Sequence, residues 1–354
     1  MSLESIGVIK ILFLSTLSFV LSTVLTPVLT HFLYKYKVGK SIRDDMSKTP
    51  VVSTLHKHKQ GTPTMGGILI WATTAVLLLG ISYVATLFPS TIIAKFDFLT
   101  REETLLPLGV LIASAIVGLV DDIFNIKRIG AKGGGLHVRH RLIIYAIIAA
   151  VAAFWFYFKL DWTVVRIPFY QVVDIGAWVI PLFIFIIVAT SFSVNETDGL
   201  DGLAGGVLLT SFGTFAAIAF IEGKYNLATF CAVICGALLS FLWFNIHPAR
   251  FIMGDTGAMS LGVTLGVVAL LTDTIWLLPV ICFILVLESG SVIIQILSKL
   301  LRHGKKVFIA SPIHHHFEAI GWGEPKIVMR FWIISGVMGV LGLVYFLIER
   351  ALTL

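Results

Sequence analysis

Ten stretches of this chain are apolar over about the length that a bilayer-crossing helix requires, roughly 20 residues, and that pattern points to repeated passage through a membrane. Their bounds are Ile11 to Leu33, Ile68 to Phe88, Leu105 to Val120, Leu142 to Phe158, Ile175 to Val194, Leu203 to Ile221, Leu227 to Ile246, Met259 to Leu271, Ile275 to Leu297 and Val328 to Ile348; the third and eighth are short. With 57% hydrophobic residues, 13% charged residues and a mean hydropathy of +0.96, the chain lies outside the range of soluble globular proteins. The expected fold is an all-α integral membrane protein, about ten transmembrane helices in one polytopic domain spanning residues 1–354. The first run is too long for a cleaved signal and no small-x-small site follows it, so it is expected to persist as a helix. Cys231, Cys235 and Cys282 lie inside apolar runs and read as small buried hydrophobes.

If the helices alternate in direction, the odd-numbered connections share one side of the membrane: about 34–66, 121–141, 195–202, 247–258 and 298–330. These hold 19 of the 26 Lys and Arg residues, so the positive-inside bias makes them cytoplasmic and both termini external. The same five loops carry the unusual polar clusters "HKHKQGTPTMGG", "VDDIFN", "VNETDGLDG", "NIHPARFIMGDTG" and "SPIHHHFE". Their concentration on one side suggests a single site.

Asp121 and Asp122 follow "IASAIVGLV" directly, and adjacent carboxylates at a membrane surface repel unless a cation or proton intervenes. Such a pair can bind Mg²⁺, act as a base or simply end a helix in solvent. Asp198 and Asp201 are three apart, on one face if the following helix begins early. Asp255, between Gly254 and Thr256, suits either an N-cap or a metal ligand. Acids among basic loops, with Lys59, Lys127, Arg128 and Lys132 drawing in an anion, fit phosphoryl chemistry assisted by a divalent cation.

The internal run His314, His315 and His316 does not have the spaced ligands of a zinc motif, and imidazoles contacting phosphate or sugar oxygens suit it better. Glu288 lies deep in the ninth run, beside Ser289 and Gly290. Two readings stand: a helix bent at the Ser-Gly pair beside a lipid-chain groove, or a hydrogen bond between helices.

The motifs "GTPTMGG", "VDD", "VNxTDGLDGLA", "FLWFNxxPAxxxMGDTG" and "PIHHHFExxGWxEPKIVxRFWIIS", with the ten-run layout, cover nearly the whole chain. Together they resemble the phospho-N-acetylmuramoyl-pentapeptide transferase (MraY) family, within the polyprenyl-phosphate N-acetylhexosamine-1-phosphate transferases. The resemblance implies transfer of phospho-MurNAc-pentapeptide from UDP-MurNAc-pentapeptide to undecaprenyl phosphate, with Mg²⁺, at the cytoplasmic face of the bacterial inner membrane, yielding lipid I and UMP. It implies that Asp121 and Asp122 are catalytic acids, that Asp255 is catalytic and holds Mg²⁺, and that His314, His315 and His316 form the family's histidine motif. Lys59, Thr64, Lys132, Asn195, Asp198, Asp201 and Asn245 fall on its substrate-binding positions. A homodimer is implied, and no nucleic-acid partner is expected.

Four positions depart from the family pattern: Phe192, Glu196, Ile252 and Ala258 stand where Asn, Leu, Phe and Ser are usual, and "AKGGGLHVRHR" rewrites the region around Lys132. Phe251 is a candidate replacement for the missing aromatic stack, and Glu196 is expected to face solvent. Two rivals remain. A GlcNAc-1-phosphate transferase would share the acidic loops, but "PIHHHFE" followed by "GWGEPK" fits the muramoyl-pentapeptide enzymes better. A secondary transporter would account for Glu288 and the membrane-edge acids but would more naturally carry paired repeats and midplane charges, whereas no internal repeat is found and most acids lie at one surface.

Overall fold

The computed structural model describes residues 3–36, 38–39, 61–130, 134–168 and 172–353. Among these, ten helices are long and apolar enough to cross a membrane. They are α1 (Leu3–Lys35), α2 (Ile68–Leu87), α3 (Leu105–Ile126), α4 (Val138–Lys159), α5 (Val179–Thr197), α6 (Leu203–Ile221), α7 (Tyr225–Asn245), α8 (Gly254–Leu271), α10 (Phe283–Leu301) and α12 (Glu324–Thr353). Among the described residues there are also two shorter helices, α9 (Leu278–Ile281) and α11 (Ile313–Ala319), an antiparallel hairpin of β1 (Val164–Arg166) and β2 (Val172–Asp174), and three short 3₁₀ turns. Helices dominate because hydrocarbon offers the backbone no hydrogen-bond partners, so each span must satisfy its own N–H and C=O groups.

Several helices outrun their apolar cores, because polar residues at their ends pair with one another. The third span continues to Ile126, so Asp121 and Asp122 lie within its last turns and do not follow it. The eighth begins at Gly254, five residues before the apolar run, and takes in Asp255. The ninth run is broken, with a 3₁₀ turn at Ile275–Leu277, the short α9 and an interruption at Cys282. Helix α10 then runs uninterrupted through Ser289 and Gly290, so the chain breaks before that pair, at Cys282.

Helix α8 is buried along its whole length, between α3 and α5. Its small residues Gly257, Ala258, Gly262 and Gly266 allow the neighbouring backbones to come close, which is how packing holds helices together where lipid removes the hydrophobic driving force. Helices α1, α4 and α12 instead expose Leu12, Val24, Val151, Ile333 and Val340, a surface suited to lipid.

Polar contacts collect at the two ends of the bundle. At one end Lys10 reaches Asn226 (2.8 Å), Lys224 reaches Glu222 (2.8 Å) and Arg166 reaches Asp273 (3.2 Å). The first turns of α1 and the last of α12 lie here, since Arg166 also meets Glu349 at 3.7 Å. At the opposite end the five odd-numbered connections converge, through Thr64 on Asp122, Asp122 on the start of α8, and Asp201 on His247 and the start of α12.

Candidate active site

Asp121 and Asp122 are adjacent in sequence but face different partners, because successive residues on a helix do not share a face. Asp122, almost fully buried, accepts the N–H of Asp255 at Oδ1 (3.1 Å) and that of Thr256 at Oδ2 (3.0 Å). Asp198 accepts the N–H of Gly254 (3.2 Å). Three otherwise unsatisfied donors at the start of α8 are thus capped by carboxylates from α3 and from the turn after α5. Gly254 is required at this junction. Its φ is +76°, and a Cβ there would sit 2.6 Å from Thr64 Oγ1 and 2.7 Å from Asp122 Oδ2. Asp255 is therefore not the N-cap; with the cap supplied from elsewhere, its carboxylate turns to other partners.

Those partners form one network. Arg141, in the first turn of α4, places Nη2 2.7 Å from Asp121 Oδ2 and 3.1 Å from Asp255 Oδ2, while Nη1 donates to Asn195 Oδ1 (3.3 Å). Asn195 donates back to Asp255 Oδ1 (2.8 Å) and Asn125 to Asp255 Oδ2 (3.4 Å). The N–H of Leu136 donates to Asp121 Oδ1 (2.5 Å). Two carboxylate oxygens thus converge on a single cationic nitrogen, with an amide oxygen beside them. This all-oxygen donor set fits Mg²⁺, which prefers a few carboxylates and completes its shell with water or phosphate oxygens; the guanidinium marks where positive charge is held.

Arg141 was not singled out by the sequence, although one signal was available. A cation in the first turn of a helix opposes the macrodipole, so its place there requires nearby acids. Among the expected substrate-binding residues, Thr64 donates to Asp122 (3.4 Å) and Asn195 joins the network. Lys59 and Lys132 lie outside the described residues. Lys127 and Arg128 are exposed at this end.

A second cluster stands apart from the first. Asp201 Oδ2 lies 3.0 Å from His247 Nδ1 and accepts the N–H of Ala249 (3.2 Å), while the Asp201 N–H donates to Glu324 Oε1 (2.6 Å). Helix α6 begins only at Leu203, so Asp198 and Asp201 occupy a turn and diverge; the expected shared helix face is not formed. Asn245 ties this turn down, accepting the N–H of Gly202 (2.9 Å) and donating to the carbonyl of Phe251 (2.8 Å). Phe251 is fully buried against Phe241 and Phe244, so it is a core side chain and offers no stacking face for a base.

The histidine run forms α11. His314 is wholly buried, with Nδ1 2.9 Å from Glu288 Oε2, and a Cβ on Gly199 would overlap its Nε2. Glu288 thus makes the contact between helices, one of its two readings, and this contact supports the turn bearing Asp198. His315 Nδ1 pairs with Glu318 Oε2 (2.7 Å), and His316 Nδ1 accepts the N–H of Ile309 (3.3 Å). Glu196 does not face solvent. It is half-buried in the last turn of α5, with His314, Arg141 and Glu288 as its electrostatic neighbours.

Comparison with known proteins gives this geometry a family. The profile of glycosyl transferase family 4 matches residues 104–273, and the phospho-N-acetylmuramoyl-pentapeptide-transferase signature 1 matches residues 59–70. A phospho-N-acetylmuramoyl-pentapeptide-transferase of Chloroflexus aggregans is 38% identical over 94% of this chain and 89% of its own length. Proteins of the same name from Anoxybacillus flavithermus and Geobacillus thermodenitrificans are 39% and 40% identical, over 94% and 92% of this chain and 97% and 94% of their own. With identity at this level sustained over nearly the full length of both partners, the chain belongs to the phospho-N-acetylmuramoyl-pentapeptide-transferase family.

Proposed function

We propose that this chain transfers phospho-MurNAc-pentapeptide from UDP-MurNAc-pentapeptide to undecaprenyl phosphate, forming lipid I and UMP in peptidoglycan synthesis. The observation that carries the assignment of chemistry is the convergence of Asp121, Asp255 and Asn195 on Arg141 at one end of the bundle. The site lies on the cytoplasmic face of a bacterial inner membrane, with both termini external, in keeping with the basic bias of the five loops that meet there.

Asp255, with Asp121 and the Asn195 amide oxygen, is the group that would hold Mg²⁺. When bound, the ion supplies positive charge to the diphosphate and to the departing UMP. The chain's own residues do the positioning, which together with charge neutralisation carries most phosphoryl transfers. Arg141 has a planar fork suited to phosphate as well as carboxylate, and a diphosphate entering the site competes for it with Asp121. Asp121, released from that pair, is placed to take a proton from the lipid phosphate. Asp122 holds the start of α8, and with it Asp255, in register. Asp198, Asp201 and Asn245 shape the turn assigned to the nucleotide, and His314, His315 and His316 border it from α11.

Purified protein given undecaprenyl phosphate should release UMP with UDP-MurNAc-pentapeptide and not with UDP-GlcNAc; the reverse preference would make it the sister GlcNAc-1-phosphate transferase. Sidedness is tested by single cysteines in intact cells. An impermeant thiol reagent should label position 101 and spare position 305, and the opposite pattern would place the site outside.

A further inference from the structure

We propose that Asp201, His247 and Glu324 form a binding site for one transition-metal ion of the zinc class, distinct from the all-oxygen centre at Asp121 and Asp255. The three residues come from segments far apart in sequence, the turn before α6, the loop after α7 and the first turn of α12. One donor atom from each lies within 4.8 Å of the others.

The two spacings to the imidazole are near those of a metal shell. His247 Nδ1 is 3.0 Å from Asp201 Oδ2 and 3.5 Å from Glu324 Oε2. Donors about 2.0–2.1 Å from a tetrahedral ion stand roughly 3.3 Å apart, so modest side-chain shifts would let the three donors close on one ion.

Burial favours a ligand role. Asp201 and Glu324 are only 5% and 8% exposed, so a divalent ion between them would meet carboxylates largely withheld from water. The nitrogen donor selects the ion, since imidazole suits zinc, nickel and copper while Mg²⁺ prefers oxygen ligands.

The supporting shell is present. The Ala249 N–H orients the Asp201 carboxylate, and the Asp201 N–H holds Glu324 Oε1, leaving Oε2 toward His247. His247 is the most exposed of the three, with 31% of its side chain accessible, which gives the ion an entry and a place for a water ligand. A bound ion would staple the turn carrying Asp198 to the start of α12, and would stabilise the fold by mass action. The binding claim stands independently of the transferase assignment.

The test uses the tag-free, full-length protein in detergent micelles without Mg²⁺, titrated with Zn²⁺ by calorimetry and by thermal unfolding. One Zn²⁺ per chain and a raised Tm are expected. His247→Gln and Glu324→Gln should each weaken binding by about 10-fold or more, while Asp255→Asn and His315→Ala should leave it unchanged. Should His247→Gln fail to fold, the Glu324→Gln protein and the visible spectrum of the wild-type Co²⁺ complex decide, a tetrahedral spectrum being expected. Absence of Zn²⁺ binding, an octahedral Co²⁺ spectrum, affinity untouched by Glu324→Gln, or equal loss in His315→Ala would each overturn the proposal.

Discussion

At the end of the bundle away from the candidate site, Glu222 meets Lys224 at 2.8 Å, and Asp273 and Glu349 meet Arg166 at 3.2 and 3.7 Å, the two cations being partly open to solvent. At the site end, Asp121 and Asp255 share the one, more deeply buried guanidinium of Arg141. The first arrangement keeps its cations near solvent and pins hairpin and helix ends together. The second leaves two buried carboxylates with one positive charge between them. An isolated buried charge costs several kcal/mol, so the shared pair is a poor device for stability alone. It is well suited to a site that receives a further cation together with an anionic substrate. The contrast therefore separates polar contacts that hold the fold from those that hold chemistry.

The sharpest way to break this contrast is to remove the central cation at each end. Arg141→Ala should lower UMP release by roughly 10³-fold, since it removes both the phosphate-facing fork and the charge that organises Asp121 and Asp255. Arg166→Ala should leave turnover within about threefold and lower stability by about 1 kcal/mol, as partly exposed pairs do. Steady-state kinetics and thermal unfolding of both variants would settle it, and equal losses of turnover would erase the distinction.

Asp122→Asn tests whether capping α8 matters to the site. The substitution removes the charge and one acceptor oxygen from two N–H bonds, so a loss of about 1–3 kcal/mol in stability is expected, with a fall in turnover that added Mg²⁺ does not reverse. Unfolding midpoints and a Mg²⁺ series on one preparation would show whether the two effects appear together.

Much of this organisation is legible in the sequence, for reasons that differ by residue. The ten apolar runs are visible because every span must satisfy a hydrophobic length requirement, and the five converging loops are visible through their basic bias. The helix ends are not, because Asp121, Asp122 and Asp255 continue helices by pairing with residues more than a hundred positions away or across the bundle. Arg141 escaped notice because its partner acids come from α3 and α8. Phe251 looked available only because its burial against Phe241 and Phe244 depends on tertiary packing. The Asp201, His247 and Glu324 cluster joins a turn, a loop and a helix start, and no spacing along the chain announces it.

Glu196 gives a smaller test. As it is half-buried near Arg141 and His314, Glu196→Gln should reduce turnover by about 10-fold, the scale of a supporting charge and not of a direct ligand. Kinetics indistinguishable from the parent would return Glu196 to the solvent-facing role that its loop-like sequence context suggested.

The weakest effect belongs to the far end. Burial pushes the Glu222 and Asp273 carboxyls above the usual carboxylate range, against the pull of Lys224 and Arg166 respectively. Folded chains thus keep these protons to a higher pH than unfolded ones, so the associated stability is largest below the ordinary carboxylate range and is lost as pH rises through the raised values. Glu222→Gln should flatten that part of the pH profile of Tm without altering turnover. A profile unchanged in shape would show that the pair carries no such linkage.

The central claim is that the acids gathered on Arg141 form a Mg²⁺-dependent catalytic centre, and a Mg²⁺ titration of UMP release in wild type and Asp255→Asn tests it most directly. Asparagine keeps the shape of the side chain but removes its negative charge. Turnover is expected to fall by roughly 10²–10³-fold, with the remaining activity requiring much more Mg²⁺. Near-normal turnover with an unchanged Mg²⁺ dependence would remove Asp255 from the centre and contradict the account.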